Sequence, residues 1–280
     1  MAPNDRLNAI AAENAASQAR MDRFRADLAA GRASRADIPD LKQAHPVHGI
    51  VPIRAAGQDV VMFHAHDDVV VWEYLWHGDD GYEPAMVRQW VEWCRTCPGQ
   101  ILDIGAYSGL MSILAAQAHA DNIVHLFEPL DRILERANIN VKLNGFKTRI
   151  ARHPVALSDS DGTAEILLYR GADFLGTGSA IDRKSDLEPK GRKTIVTAAL
   201  DTYMPHARPS VVKIDVEGHE LACLKGMAGA IRRGRPRILI EVWHNTRPEV
   251  LTFLDALGYE LARVEATDLG VNNYLATPRP

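Results

Sequence analysis

The sequence has little of several things, and each shortage excludes a class of protein. Three cysteines in 280 residues, Cys94, Cys97 and Cys223, are too few and odd in number for a disulfide framework. Cations are not in excess: 32 Lys+Arg against 36 Asp+Glu leave a formal net charge of −4. The basic footprint that phosphate neutralisation requires is therefore missing, and nucleic acid is not an expected partner. No run of about 18 uninterrupted apolar residues occurs, which argues against a membrane-spanning helix and against a membrane partner. The opening residues Met1-Ala-Pro-Asn-Asp-Arg lack an apolar targeting core, so the expected compartment is the cytoplasm.

What is present is ordinary globular material, 46% hydrophobic and 24% charged. The length suits one large α/β unit with an extension in front of it. The pattern changes near residue 80, so the expected division is an extension over 1–80 and a main domain over 81–280. In the extension, Met21, Phe24 and Leu28 make a thin apolar stripe on a helix, read as a surface packing helix, a homodimer contact or a lid. Val60-Val-Met-Phe63 and Val69-Val-Val-Trp-Glu-Tyr74, separated by the polar His64–Asp68, predict a β-hairpin. His64 and His66 would share one side of an extended segment, but no third metal ligand is evident nearby. Cys94-Arg-Thr-Cys97 lacks the second pair that a zinc site needs, and its flanking tryptophans mark it as a helix end.

From residue 84 onward, apolar runs alternate with helical periods. Strands are expected at 100–104, 122–127, 150–157, 211–215 and 237–243, with helices at 84–97, 108–119, 130–143, 219–232 and 247–257. That alternation means βαβ units and a doubly wound, mostly parallel sheet, whose ligands sit at the carboxyl ends of the strands. The segment 162–200 interrupts it with added strands around the glycine-rich Gly171–Ser179, read as a substrate-side loop. Residues 260–264 and 272–276 close the domain as an antiparallel pair.

The turn after the first of these strands is Asp103-Ile-Gly105-Ala106-Tyr107-Ser108-Gly109. A dinucleotide site needs a glycine two positions after the first, so that the backbone can approach the pyrophosphate; Tyr107 stands there instead. S-adenosylmethionine has no phosphates. Its demands are a tight turn whose N–H groups meet a carboxylate, an acid such as Asp103 or Glu83 near its ammonium, and an acid for its ribose. Glu128, before Pro129 and about 20 residues beyond the loop, is where the ribose acid belongs in such folds.

These residues resemble the FkbM family of S-adenosylmethionine-dependent methyltransferases. The resemblance rests on Gly81-Tyr-Glu-Pro84, Leu102–Gly109, Phe127-Glu-Pro129, Asn140 with Asn144-Gly145, Val155–Asp159 with Gly162, and most specifically Val212-Lys-Ile-Asp-Val-Glu-Gly-His-Glu220. It implies a class I (Rossmann-like) methyltransferase fold with an antiparallel C-terminal strand, and methylation of a hydroxyl on a sugar or natural product. It places Asp103, Gly105 and Glu128 at cofactor positions, and Ala156, Leu157 and Ser158 where the third strand meets adenine.

Methyl transfer to an alcohol needs alignment first and proton removal second. Asp215 closes the fourth strand, with His219 in the following turn; Glu241 and His244 end the fifth. One reading makes His244 or His219 a general base. The other places Mg²⁺ between Asp215 and Glu241. A small-molecule or carbohydrate acceptor is expected. N-methylation of an amine and a non-catalytic, cofactor-binding regulatory role are the alternatives.

Overall fold

The computed structural model describes residues 3–169, 175–176, 179–181, 188–266 and 271–280. The chain divides into two compact units, Met1–Pro84 and Ala85–Pro280.

The first unit opens with α1 (Pro3–Ala29) and α2 (Ile38–Ala44). Met21 and Phe24 of α1 are buried, and Phe24 meets Trp76 edge-on at 5.5 Å between ring centroids. A hairpin follows, but its strands are β1 (His48–Ala55) and β2 (Gln58–Ala65). Ala56 and Gly57 carry φ of 49° and 75°, the doubly left-handed turn that suits the twist of a two-stranded ribbon. Pro52 disguised β1 in the sequence; it is exposed on the ribbon, where a missing N–H is tolerated.

The expected second strand, Val69–Tyr74, is instead the start of helix α3 (Val69–His77). Asp68 decides it: its carboxylate accepts the N–H groups of Val70 at 3.0 Å and Val71 at 3.1 Å, capping the helix. Val70, Val71, Tyr74, Leu75 and Trp76 are all buried, and burial around much of the helix overrides the strand preference of three consecutive valines.

Helix α4 (Pro84–Thr96) leads into the second unit. There follow β3 (Gln100–Ile104), α5 (Leu110–Ala118), β4 (Ile123–Phe127), α6 (Asp131–Leu143) and β5 (Ile150–His153), then β6 (Ala156–Leu157), β7 (Gly162–Leu168) and β8 (Gly191–Ala198). The chain continues through α7 (Leu200–Tyr203), β9 (Val211–Ile214), α8 (Glu220–Gly226), α9 (Ala228–Gly234), β10 (Arg237–Trp243), α10 (Arg247–Ala256), β11 (Tyr259–Ala266) and β12 (Val271–Pro278).

Seven strands form one sheet in the order β11-β12-β10-β9-β3-β4-β5. Strands β5, β4, β3, β9 and β10 are parallel, and β12 is antiparallel to both β10 and β11. This is the doubly wound sheet expected, and its order reverses between β3 and β9, the switch point at which such sheets bind ligands. Leu102, Ile104, Val212, Ile214, Ile238, Ile240 and Val242 pack one face against Leu224, Ile231, Val250 and Leu254. Strand alternation then puts Asp103, Lys213 and Glu241 on the other face.

Two expected elements are split. The run 150–157 breaks at Pro154: β5 stays in the main sheet, while β6 joins β8 and β7 in a separate three-stranded sheet. The expected helix 219–232 is two short helices, α8 and α9, with Met227 between them. A side chain on Gly226 would lie 1.8 Å from the Ser158 carbonyl oxygen, so α8 packs directly on the end of β6. Of the glycine-rich Gly171–Ser179, only Leu175, Gly176 and Ser179 are among the described residues. Cys94 is buried in α4 with its thiol pushed well above the usual range by burial, and both it and the half-buried Cys97 are free thiols. No described helix is long and apolar enough to cross a membrane.

Candidate active site

The second unit builds its polar centre where β3 and β9 part. Gly105 follows β3 at φ 74°, and a Cβ there would stand 1.8 Å from the backbone oxygen of Asp215. The backbones touch, so only glycine fits. The Gly105 and Ala106 N–H groups both donate to the Phe127 carbonyl at 3.1 Å, and Gly109 N–H donates to the Ala106 carbonyl at 2.9 Å. Tyr107 is left-handed at φ 49°, and its N–H donates to the Glu128 carboxylate. The turn therefore uses these N–H groups to fix itself to the end of β4, rather than presenting them to an anion as the sequence led one to expect. Gly109 begins α5 at φ 87°, and its bare Cα lets α5 approach Ala137 of α6.

Two acids flank this turn. Asp103 is fully buried; one carboxylate oxygen accepts from Ser112 Oγ at 2.6 Å, and the other has no hydrogen-bond partner. Burial pushes its carboxyl up, opposed by the Lys213 ammonium and the Ser112 hydroxyl and reinforced by Asp215. Glu128, buried before Pro129, accepts the Leu130 N–H at 2.9 Å as well as that of Tyr107. Desolvation outweighs those bonds and pushes it up to about 7. Ser108 is buried with an unpartnered hydroxyl, while its carbonyl accepts from Asn140 at 2.8 Å.

On the β9 side, Asp215 has 23% of its side chain exposed and one carboxylate oxygen 3.2 Å from Lys213 Nζ. Glu241 of β10 is half-buried, paired across strands with Asn273 of β12. His219 stands at the N-cap of α8 and shares a hydrogen bond of 2.9 Å between its Nε2 and Ser158 Oγ. Ser158 and His219, expected in separate roles, are thus one contact. Ala156 is half-buried and Leu157 buried in β6. His244 is exposed in the turn after β10. Glu83 lies in the first unit at φ 37°.

Two residues without an expected role stand in this centre. Lys213 is buried on β9, opposite Asp103 in the β3–β9 register, and reaches Gly105, Asp103 and Asp215. Glu220 is fully buried at the start of α8; its carboxylate accepts Gly218 N–H at 2.6 Å and Thr246 Oγ at 3.0 Å, and burial pushes it up to about 7. The signal for Lys213 was there: a charge inside a parallel strand buried on both faces needs a partner.

The donor set does not suit Mg²⁺. Among the described residues no group of three or more His, Cys, Asp or Glu could hold a metal ion, and Asp215 already faces the Lys213 ammonium. It suits a cationic cofactor that carries hydroxyls and an ammonium. Asp103 and Asp215 flank one lysine with Glu128 nearby, and the buried Ser108 hydroxyl, which has no hydrogen-bond partner, is a polar atom that a ligand can satisfy.

The "Methyltransferase FkbM domain" family matches residues 103–261, more than half of the chain. The methyltransferase sdnD of Sordaria araneosa is 22% identical over 59% of this chain and 75% of that protein. An FkbM methyltransferase structure from Methylobacillus flagellatus KT is 20% identical with a TM-score of 0.47, covering 64% of this chain. The match spans 43% of that structure's length, less than half of it. A ribosomal protein L11 methylase from Lactobacillus delbrueckii subsp. bulgaricus is 12% identical with a TM-score of 0.46, over 70% of this chain and 77% of that one.

Proposed function

The chain belongs to the FkbM methyltransferase family, and from that premise we propose that it methylates a hydroxyl of a sugar, a glycoside or a related natural product. S-adenosylmethionine, when bound, supplies a methyl group already activated on a sulfonium. Glu128 would hold the ribose hydroxyls, and Asp103 the ammonium. Gly105 to Gly109 would give the turn its shape, and Ala156 to Ser158 would line the adenine.

The observation that carries the reading is Asp215. One of its oxygens is held at 3.2 Å by Lys213 while the side chain stays 23% exposed, beside a turn whose backbone it touches. A carboxylate fixed on one side and open on the other can accept the hydrogen bond of an incoming hydroxyl, align its oxygen and take its proton as the bond to carbon forms. Glu241, on the neighbouring strand and the same face, supplies a second acceptor for an adjacent hydroxyl. His219 is committed to Ser158, and His244 to solvent, so the carboxylates rank first. The acceptor is a small molecule rather than nucleic acid, in keeping with the net charge of −4.

The test is incubation with S-adenosylmethionine labelled in its methyl group and a panel of monosaccharides, glycosides and amines, with products identified by mass spectrometry. Label in an ether on a hydroxylated acceptor is expected. Label on amines alone overturns the reading.

A further inference from the structure

Lys213 is the feature that the cofactor and acceptor roles leave unexplained. Its side chain is 9% exposed, and its ammonium lies 3.0 Å from the Gly105 carbonyl, 3.2 Å from an Asp215 oxygen and 3.7 Å from an Asp103 oxygen. Gly105 belongs to the cofactor turn and Asp215 to the acceptor end, so one cation touches both. We propose that Lys213 is a positioning residue that couples the two ends of the site, tying the cofactor turn to Asp215 and holding Asp103 as a carboxylate. The coupling to an acceptor rests on the function proposed above; the hold on Asp103 does not.

Buried charges persist only when paired, and removal of one partner strands the other. Without the ammonium, the least costly relief is a proton on Asp103, which is fully buried and has one oxygen without a hydrogen-bond donor. The groups facing this cluster are Ser112 of α5, the Cys94 thiol of α4, Glu128 at the end of β4 and Glu220 of α8. None of them supplies a replacement cation. Loss of the lysine would therefore write a new proton uptake into folding and a proton release into cofactor binding.

Lys213→Gln keeps a donor toward Gly105 but removes the charge; Lys213→Arg keeps the charge. Two readouts are taken on each: the melting temperature of the ligand-free protein and the calorimetric Kd for S-adenosylmethionine, both across about pH 5.5 to 8.5. A carboxyl held above its unfolded value weakens folding as pH rises, so the melting deficit of Lys213→Gln should grow by about 4 °C between pH 5.5 and pH 8. Its cofactor affinity should be at least tenfold below wild type near pH 6.5 and recover to within about threefold near pH 8.5, as Asp103 gives up its proton. Lys213→Arg should show wild-type pH dependence in both. A Lys213→Gln deficit that is absent, or equal at every pH, overturns the proposal. Should Lys213→Gln fail to fold, Lys213→Arg decides: folded with wild-type pH dependence supports the proposal, and folded without cofactor binding overturns it. If wild type binds no S-adenosylmethionine, the functional reading fails, and the ligand-free melting series still decides the role of Lys213.

Discussion

The two sides of the β3–β9 switch point are built differently. On the β3–β4 side, Asp103 and Glu128 are buried and the turn's N–H groups are anchored on the Phe127 carbonyl and the Glu128 carboxylate. On the β9–β10 side, Asp215 and Glu241 are only partly buried and His244 is exposed. A group that must recognise one invariant ligand can be locked in place by the backbone. A group that meets an acceptor must stay open to it. Burial thus marks the β3–β4 side and partial exposure the β9–β10 side, and Lys213 touches both.

The sharpest break comes at the junction. Gly105→Ala places a Cβ 1.8 Å from the Asp215 backbone oxygen at a φ of 74°. It should cost about 3 kcal/mol or more and abolish cofactor binding, read by thermal melting and calorimetry; a variant that folds and binds normally would dissolve the junction. Next in size is the pH response of the buried end. Glu128 and Glu220, each pushed up to about 7, bind more protons folded than unfolded, so stability falls as pH rises from about 4.5 to 7. Replacing Glu128 with Gln should remove its share, on the order of 2–3 kcal/mol, from the slope measured by denaturation at pH 5 and pH 7.5. An unchanged slope would mean that Glu128 is solvated. Smallest is His244→Ala at the open end: turnover within about twofold of wild type and an unchanged pH–rate profile. A tenfold loss would restore His244 as the base.

The same contrast governs what the sequence disclosed. The places of Asp103, Gly105 and Glu128 at the ends of β3 and β4 were legible because a strand, a tight turn and an acid follow one another in register. The strands β3, β4, β9 and β10 were legible because short, mostly buried apolar runs, each carrying one polar or charged residue inside it (Asp103, His125, Lys213 and Glu241), alternate with helical periods. Helix α3 was hidden because Val69–Val71 favour a strand locally and only the Asp68 cap and burial reverse it. The Ser158–His219 contact was hidden because it depends on the chain leaving the main sheet at Pro154, and on Gly226 letting α8 approach. Lys213 and Glu220 sat in plain view in Val212–Glu220, yet Asp103, Gly105 and Thr246, which complete their contacts, come from other strands and loops that a linear reading does not align.

The division of labour is tested most directly by measuring cofactor Kd and methyl-transfer kcat side by side on Asp215→Asn and Glu128→Gln. Asp215→Asn should bind S-adenosylmethionine within about threefold of wild type and lose at least ~100-fold in kcat. Glu128→Gln should do the reverse, with about tenfold weaker binding and kcat at saturation changed by less than about threefold. An Asp215→Asn enzyme that turns over normally would contradict the account.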